Sequence, residues 1–133
     1  MIEINNLTTV KVDEEFLKKI AQKVLESENK ENKSLSVALV GQGRIRELNK
    51  RYKGKNRETD VLAFPGNGLG EIIICLREVK KNARRFDSAF EKELTRILIH
   101  GILHLLGYNH EKSEIETKKM EEKQNYYLKL FFE

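Results

Sequence analysis

Three histidines stand within eleven residues of one another, at His100, His104 and His110, and the chain has no others. Imidazole is a common zinc ligand, and spacing decides whether several rings can share one ion. Residues four apart on a helix project from one face with Cβ atoms about 6 Å apart, so His100 and His104 can converge on a single point. Gly107 stands where a left-handed residue ends a helix, a conformation glycine adopts at little cost. The reversed chain can then return His110 as a third ligand. Three nitrogens at about 2.0–2.1 Å leave the fourth tetrahedral position of zinc to water, the arrangement of a catalytic site. One zinc ion per chain is the expected cofactor.

The H-x3-H-x2-G-x2-H spacing is similar to that of the metzincin proteases. Gly101 stands where their glutamate general base would be, which argues against peptide hydrolysis. Two plainer readings compete. The histidines could be core residues of an apolar helix, since Ile97, Leu98, Ile99, Ile102, Leu103, Leu105 and Leu106 surround them. Buried imidazoles need polar partners, however, and the rest of that helix offers almost none. A closed structural zinc would need a fourth ligand, and the single cysteine, Cys75, lies in the apolar run Ile72-Ile73-Ile74-Cys75-Leu76. A free cysteine in such a run behaves as a small hydrophobe. The open site is therefore favoured. Because ligation needs neutral imidazole, metal affinity and activity should fall below about pH 6.5.

The surroundings of this motif limit the class of ligand. Between Arg44 and Arg57 there are seven basic residues against the single acid Glu47, a local charge of +6 in a chain whose net charge is +4. Clustered positive charge raises the local concentration of polyanions and quickens their arrival. Lys53 and Arg57 are the candidate phosphate contacts, and Lys80, Lys81, Arg84 and Arg85 form a second basic cluster. With 133 residues the chain is most simply one domain, 1–133. A lone cysteine excludes an internal disulfide and fits a reducing compartment, so no disulfide-linked partner is expected. The start lacks the basic and apolar regions of a signal peptide, and no later apolar run spans a membrane. A cytoplasmic protein with no membrane partner is the expectation.

The elements that must position these residues can be read from periodicity. Ile2 to Ile4 and Thr8 to Val12 read as short strands. Asp13 is a helix N-cap followed by the acids Glu14 and Glu15, and the helix runs to about Glu28 with Phe16, Leu17, Ile20, Val24 and Leu25 inward. Leu35 to Val40 is a buried strand. Gly41-Gln42-Gly43 breaks the chain before a helix from about Arg44 to Tyr52, with Ile45 and Leu48 inward. Asp60 to Phe64 and Leu69 to Leu76 pair as a hairpin across Pro65-Gly66-Asn67-Gly68. Helices follow over about Arg77 to Phe86, Ser88 to Gly107 and Ser113 to Phe132, the second with Ser88 and Glu91 as a capping box. Phe131 and Phe132 are expected to pack on the body. The fold class is α+β: a small mixed sheet of about four strands flanked by helices, with the metal site at the end of a long helix and the turn after it.

These residues resemble the bacterial YbeY endoribonucleases, also called rRNA maturation factors. The family motif HGxLHLxGYDH is similar to the eleven residues from His100 to His110. The family segment TDVLSFP resembles Thr59 to Pro65, its GDI-type strand resembles Gly70-Glu71-Ile72, and the Leu48-Asn49 and Glu93-Leu94 pairs fall in order. Together these span residues 48–110, and the flanks suit the family in length. The resemblance implies a zinc-dependent, single-strand-specific endoribonuclease in 16S rRNA 3′-end maturation and ribosome quality control, with His100, His104 and His110 as ligands. Its partners would be single-stranded RNA, the 16S rRNA precursor, and the ribosome or ribosomal proteins.

Three positions depart from the pattern. Asn109 replaces an aspartate, keeping one acceptor oxygen and losing the charge, and it is the candidate partner for the ligand shell. Ala63 replaces a serine. Lys53 replaces an arginine, giving a point charge in place of a planar two-point fork, with Arg57 as the candidate substitute. Zinc would polarise a phosphate oxygen, or lower the pKa of water toward about 7, while Lys53 or Arg57 neutralises phosphate charge. Glu71 and Asp60 are considered as acids of the site, with strand-edge or supporting roles preferred. The alternative is a non-catalytic, ribosome-associated RNA-binding factor whose zinc is structural.

Overall fold

The continuous apolar runs Val37–Val40 and Ile72–Cys75 are buried on both faces, and helices cover both sides of the sheet they form. In the computed structural model, which describes residues 1–109, 111 and 113–132, β1 (Ile2–Asn6), β2 (Leu35–Val40), β3 (Val61–Pro65) and β4 (Gly70–Cys75) form one sheet in the order β1-β2-β4-β3. β1, β2 and β4 are parallel, and β3 returns antiparallel to β4 as the expected hairpin. Leu35, Pro65 and Gly70 are in register at one end of the sheet, and Val40 and Cys75 pair at the other. The expected α+β class with a four-stranded mixed sheet is what the chain forms.

The helices are α1 (Glu14–Ser27), α2 (Gln42–Lys53), α3 (Leu76–Arg85), α4 (Phe90–Leu105) and α5 (Glu114–Lys129). Val37, Leu39, Ile72 and Ile74 face a large core built with α1, α3, α4 and α5. Their neighbours Ala38, Val40, Ile73 and Cys75 face the other way, where α2 alone covers them through Ile45 and Leu48. Cys75 is fully buried, as a small hydrophobe, and burial pushes its thiol up from the ordinary range. Among the described residues no helix is long and apolar enough to cross a membrane.

Local chemistry explains most boundaries. Asp13 accepts the Phe16 N–H at 3.1 Å and Ser113 accepts that of Glu116 at 3.1 Å, so each side chain satisfies an orphan donor of its helix. The expected strand over Thr8 to Val12 does not form. The Asn6 side chain instead accepts from the Thr8 N–H and hydroxyl at 3.0 and 2.7 Å and donates to the Val10 carbonyl at 2.7 Å, so it folds that segment onto itself. α2 begins two residues early, because Gly41 serves as its N-cap and Gly43 is absorbed into the first turn. The Ser88–Glu91 capping box is also absent: Ala89 is the N-cap of α4, and the Ser88 N–H is spent on the Ala83 carbonyl at 2.8 Å, closing the end of α3. α5 stops at Lys129, beyond which Phe131 and Phe132 pack edge-on against Phe16, with centroids 5.8 and 6.0 Å away.

Candidate metal centre

α4 is held by its apolar side. Leu94, Ile97, Leu98, Ile102 and Leu103 are all buried in the large core, each contributing about 1.5–3 kcal/mol relative to exposure. Gly101 also faces the sheet. A Cβ added there would come within 3.1 Å of the Ile72 side chain, so a side chain at this position meets the core. The absence of a glutamate general base at position 101 thus has a packing cause. His100 and His104 lie one turn apart on α4, the first half-buried and the second exposed.

Past Leu105 the helix ends on Gly107, whose φ of 104° few other residues would adopt. The Gly107 N–H donates to the His104 carbonyl at 3.1 Å and the Tyr108 N–H to that of Leu103 at 3.1 Å. This pair of bonds is a Schellman motif, and it confirms the reading of Gly107 as the helix stop. Asn109 accepts the Glu111 N–H at 2.9 Å through Oδ1, so its side chain braces the backbone on either side of position 110. His110 itself lies outside the described residues.

The neighbour that fixes a ring is Gln124 of α5, almost fully buried, whose Oε1 stands 2.8 Å from His100 Nδ1. An amide oxygen only accepts, so in this contact Nδ1 donates, which in the neutral ring leaves the lone pair on Nε2. That is the tautomer in which a histidine ligates a metal through Nε2 with its other N–H tied to an oxygen. This donor set therefore fits zinc, with a second imidazole one turn on. Sequence reasoning required such a partner without naming it. The signal was present: Met120, Gln124, Tyr127 and Leu128 follow helical spacing, and an amide inside an apolar stripe marks a polar contact in the core.

A second unanticipated residue is Glu28, just beyond α1. Its carboxylate accepts from the Tyr108 hydroxyl at 2.9 Å and from the Tyr127 hydroxyl, and lies 3.3 Å from the Lys123 ammonium. Burial pushes the carboxyl up, but the two hydroxyls and the lysine outweigh it and hold its pKa below the ordinary value. In return, burial and this carboxylate push the Tyr108 phenol up to about 12. Glu28 thereby fastens α1 to α5 and to the turn after α4. No local pattern in the polar stretch around it announces this.

The basic residues fall in two places. Lys53 ends α2 and Arg57 lies in the loop after it, both exposed. The loop is clamped by Asn49, buried beside Leu48, whose amide donates to the Arg57 carbonyl at 3.0 Å and whose backbone carbonyl accepts the Lys55 N–H at 3.3 Å. Arg44 and Arg46 pair with Glu47 and Glu58, each at 2.7 Å, whereas Lys50, Arg51, Lys53, Lys55 and Arg57 have no acidic partner among the described residues. Lys80, Lys81 and Arg84 line a groove of about 540 Å³ with Arg77 and Gln42, beside α3. α3 starts directly after Cys75, its N-cap, which lies one strand length from Gly70, or about 16 Å. Leu105 packs at the Gly70 end, 3.2 Å from where a Gly70 Cβ would stand, so this second cluster belongs to the end of the sheet away from the α4 terminus. Neither Lys53 nor Arg57 contacts a histidine among the described residues.

Of the two acids considered, Asp60 accepts from the Asn82 amide at 3.1 Å, a supporting role, and Glu71 is exposed on β4 opposite Phe64. Glu93 is buried and takes both hydrogen bonds of an Arg96 fork at 2.9 and 2.6 Å, which raises the guanidinium pKa further. The Glu93-Leu94 pair thus serves the core and an ion pair within α4.

A family model described as Endoribonuclease YbeY matches residues 3–131. A protein of that name from Thermotoga neapolitana is 43% identical over 118 residues, covering 86% of this chain and 79% of its own length. Another so named, from Chlorobium luteolum, is 34% identical over 135 residues and matches 98% of both chains. The solution structure of TM1509 from Thermotoga maritima is 40% identical, superposes with a TM-score of 0.74, and the match covers 96% of this chain and 87% of that one. The histidine motif, the Asn49 clamp and all of the mixed sheet but Ile2 lie inside the matched span, and the chain belongs to the family of YbeY endoribonucleases.

Proposed function

We propose that this chain is a zinc-dependent endoribonuclease that cuts single-stranded RNA, acting in the cytoplasm on the 3′ end of the 16S rRNA precursor and in ribosome quality control. The observation that supports it best is the His100–Gln124 contact, which sets one imidazole of a two-histidine helical face in the ligating tautomer. His100, His104 and His110 would hold the ion. A bound zinc supplies Lewis-acid polarisation of a phosphate oxygen and a water of lowered pKa. The chain's own part is to position and to neutralise. Gln124 orients His100, the Schellman turn redirects the chain past His104, and Asn109 braces the turn that follows. Lys53 and Arg57, on a loop clamped by Asn49, offer positive charge to the scissile phosphate as its negative charge grows. Loss of one such contact typically slows a reaction by ~10²–10³.

The test is cleavage of single-stranded and duplex RNA by the metal-loaded protein beside a His104→Ala variant, both confirmed as folded. Single-strand cleavage that disappears in the variant is the expected result. Equal cleavage by the two proteins, or none by either, would overturn the reading.

A further inference from the structure

The face of the sheet opposite the histidines is covered by a single helix, and α2 does not cover all of it. A groove of about 410 Å³ is left open, lined by Leu7, Val40, Leu48, Ile73, Tyr52 and Phe64. Tyr52 and Phe64 form an edge-to-face pair with centroids 5.3 Å apart, and Tyr52 is 57% exposed. A tyrosine so exposed, yet held by a neighbouring ring, is a fixed aromatic surface. It adjoins Lys53 in sequence and borders the loop whose basic residues have no acidic partner among those described.

Topology puts this platform and the histidines at one end of the molecule. α2 leaves the sheet after Val40 and runs about 18 Å, roughly the strand length, so Tyr52 returns to the opposite end, where it meets Phe64. Phe64 is in register with Glu71, one residue from the Pro65–Gly70 pair, and Leu105 packs against Gly70 from the other face. Between the two faces lies β3, at the edge of the sheet, with β4 as its only strand neighbour among the described residues.

We infer that the Tyr52–Phe64 pair is a stacking platform for an unpaired base of the RNA strand, whose backbone lies along the Lys53–Arg57 loop and crosses the β3 edge toward the histidines. The inference rests on the nuclease reading and adds to it the source of strand selectivity. An aromatic face beside a basic track suits single-stranded nucleic acid, because every unpaired base offers a π-face while its backbone seeks positive charge. A base stacked within a duplex has no face to offer. The one acid in the groove, Glu71, agrees with this orientation, since a carboxylate repels phosphate and accepts from exocyclic amines.

The experiment uses a single-stranded oligoribonucleotide carrying one 2-aminopurine, with His104→Ala as the background so that the RNA stays intact. Stacking quenches the fluorescent base, and the chain has no tryptophan to interfere. Quenching is expected with Tyr52, retained in Tyr52→Phe and lost in Tyr52→Leu, with affinity weakened about tenfold. Lys53→Ala with Arg57→Ala should keep the quench but flatten the dependence of log affinity on log salt by about 1.4, for two single-strand phosphate contacts. Tyr52 is largely exposed, so circular dichroism should show each variant folded. Full quenching and affinity in Tyr52→Leu would overturn the platform alone, provided the wild type still cuts single strands and its His104→Ala variant does not. RNA binding with no quench by Tyr52 also overturns it. If the protein neither binds nor cuts single strands, the nuclease reading falls and the platform with it.

Discussion

Gln124 and Glu28 carry the sharpest consequences at the scale of single residues. Replacing Gln124 by leucine keeps the volume and removes the acceptor, leaving His100 Nδ1 without its oxygen. Zinc affinity, read by competition with a chromophoric chelator, should fall about 10–100-fold, and Gln124→Glu should restore it. Glu28→Gln removes the charge that receives two phenols and a lysine, and should cost about 1–3 kcal/mol in urea denaturation at neutral pH. The pH dependence has a definite sign. The folded carboxyl pKa lies below its ordinary value of 4.5, so its contribution is complete above that value and is lost as pH falls below it. Wild-type stability should therefore drop below about pH 4.5 more steeply than that of Glu28→Gln. The two residues also differ in how far sequence reveals them. An amide at a stripe position is a visible anomaly, whereas Glu28 sits in a polar loop among other charged residues, and its partners are 80 and 99 residues away.

At the level of elements, the termination of α4 matters most. Gly107 has open space where a Cβ would stand, so alanine there meets no clash and bears only the cost of the left-handed backbone, about 1–2 kcal/mol. Gly107→Ala should lower Tm modestly and weaken zinc binding more than that stability loss accounts for, because the turn beyond His104 must change course. Equal zinc affinity in variant and wild type would show that the turn's path does not matter to the site. The elements themselves were largely legible: β2 matches its expected limits, and the hairpin, Asp13 cap and helix stop all come from short-range rules. The misread places are those where one side chain or backbone group had two uses. Asn6 took the donors that would have extended a strand, and Ser88 closed α3 in place of capping α4. Propensity cannot decide such competitions, because the winning bond depends on where the neighbouring element lies.

For the molecule as a whole, the layering argues that a zinc ion held at the proposed site would serve chemistry more than folding. α4 is anchored along its length by six buried residues of the large core, independently of its histidines. Treatment with chelator should leave the far-ultraviolet circular dichroism intact at 25 °C and a cooperative melt at reduced Tm, the reduction being the linkage of ligand binding to the native state. Loss of helical signal on chelation would favour the structural ion of a non-catalytic factor. The shared helical face of His100 and His104 and the stop at Gly107 were readable because their spacing is local. The relation of the basic clusters to that face was not, since that depends on which end of the sheet each helix reaches. The junction at Glu28 adds a matter of timing. A chain made from its N-terminus possesses this carboxylate 99 residues before Tyr127 exists, and possesses His100 before Gln124. α5 supplies the final fastening of both, so on a nascent chain neither contact can form until that helix has been made.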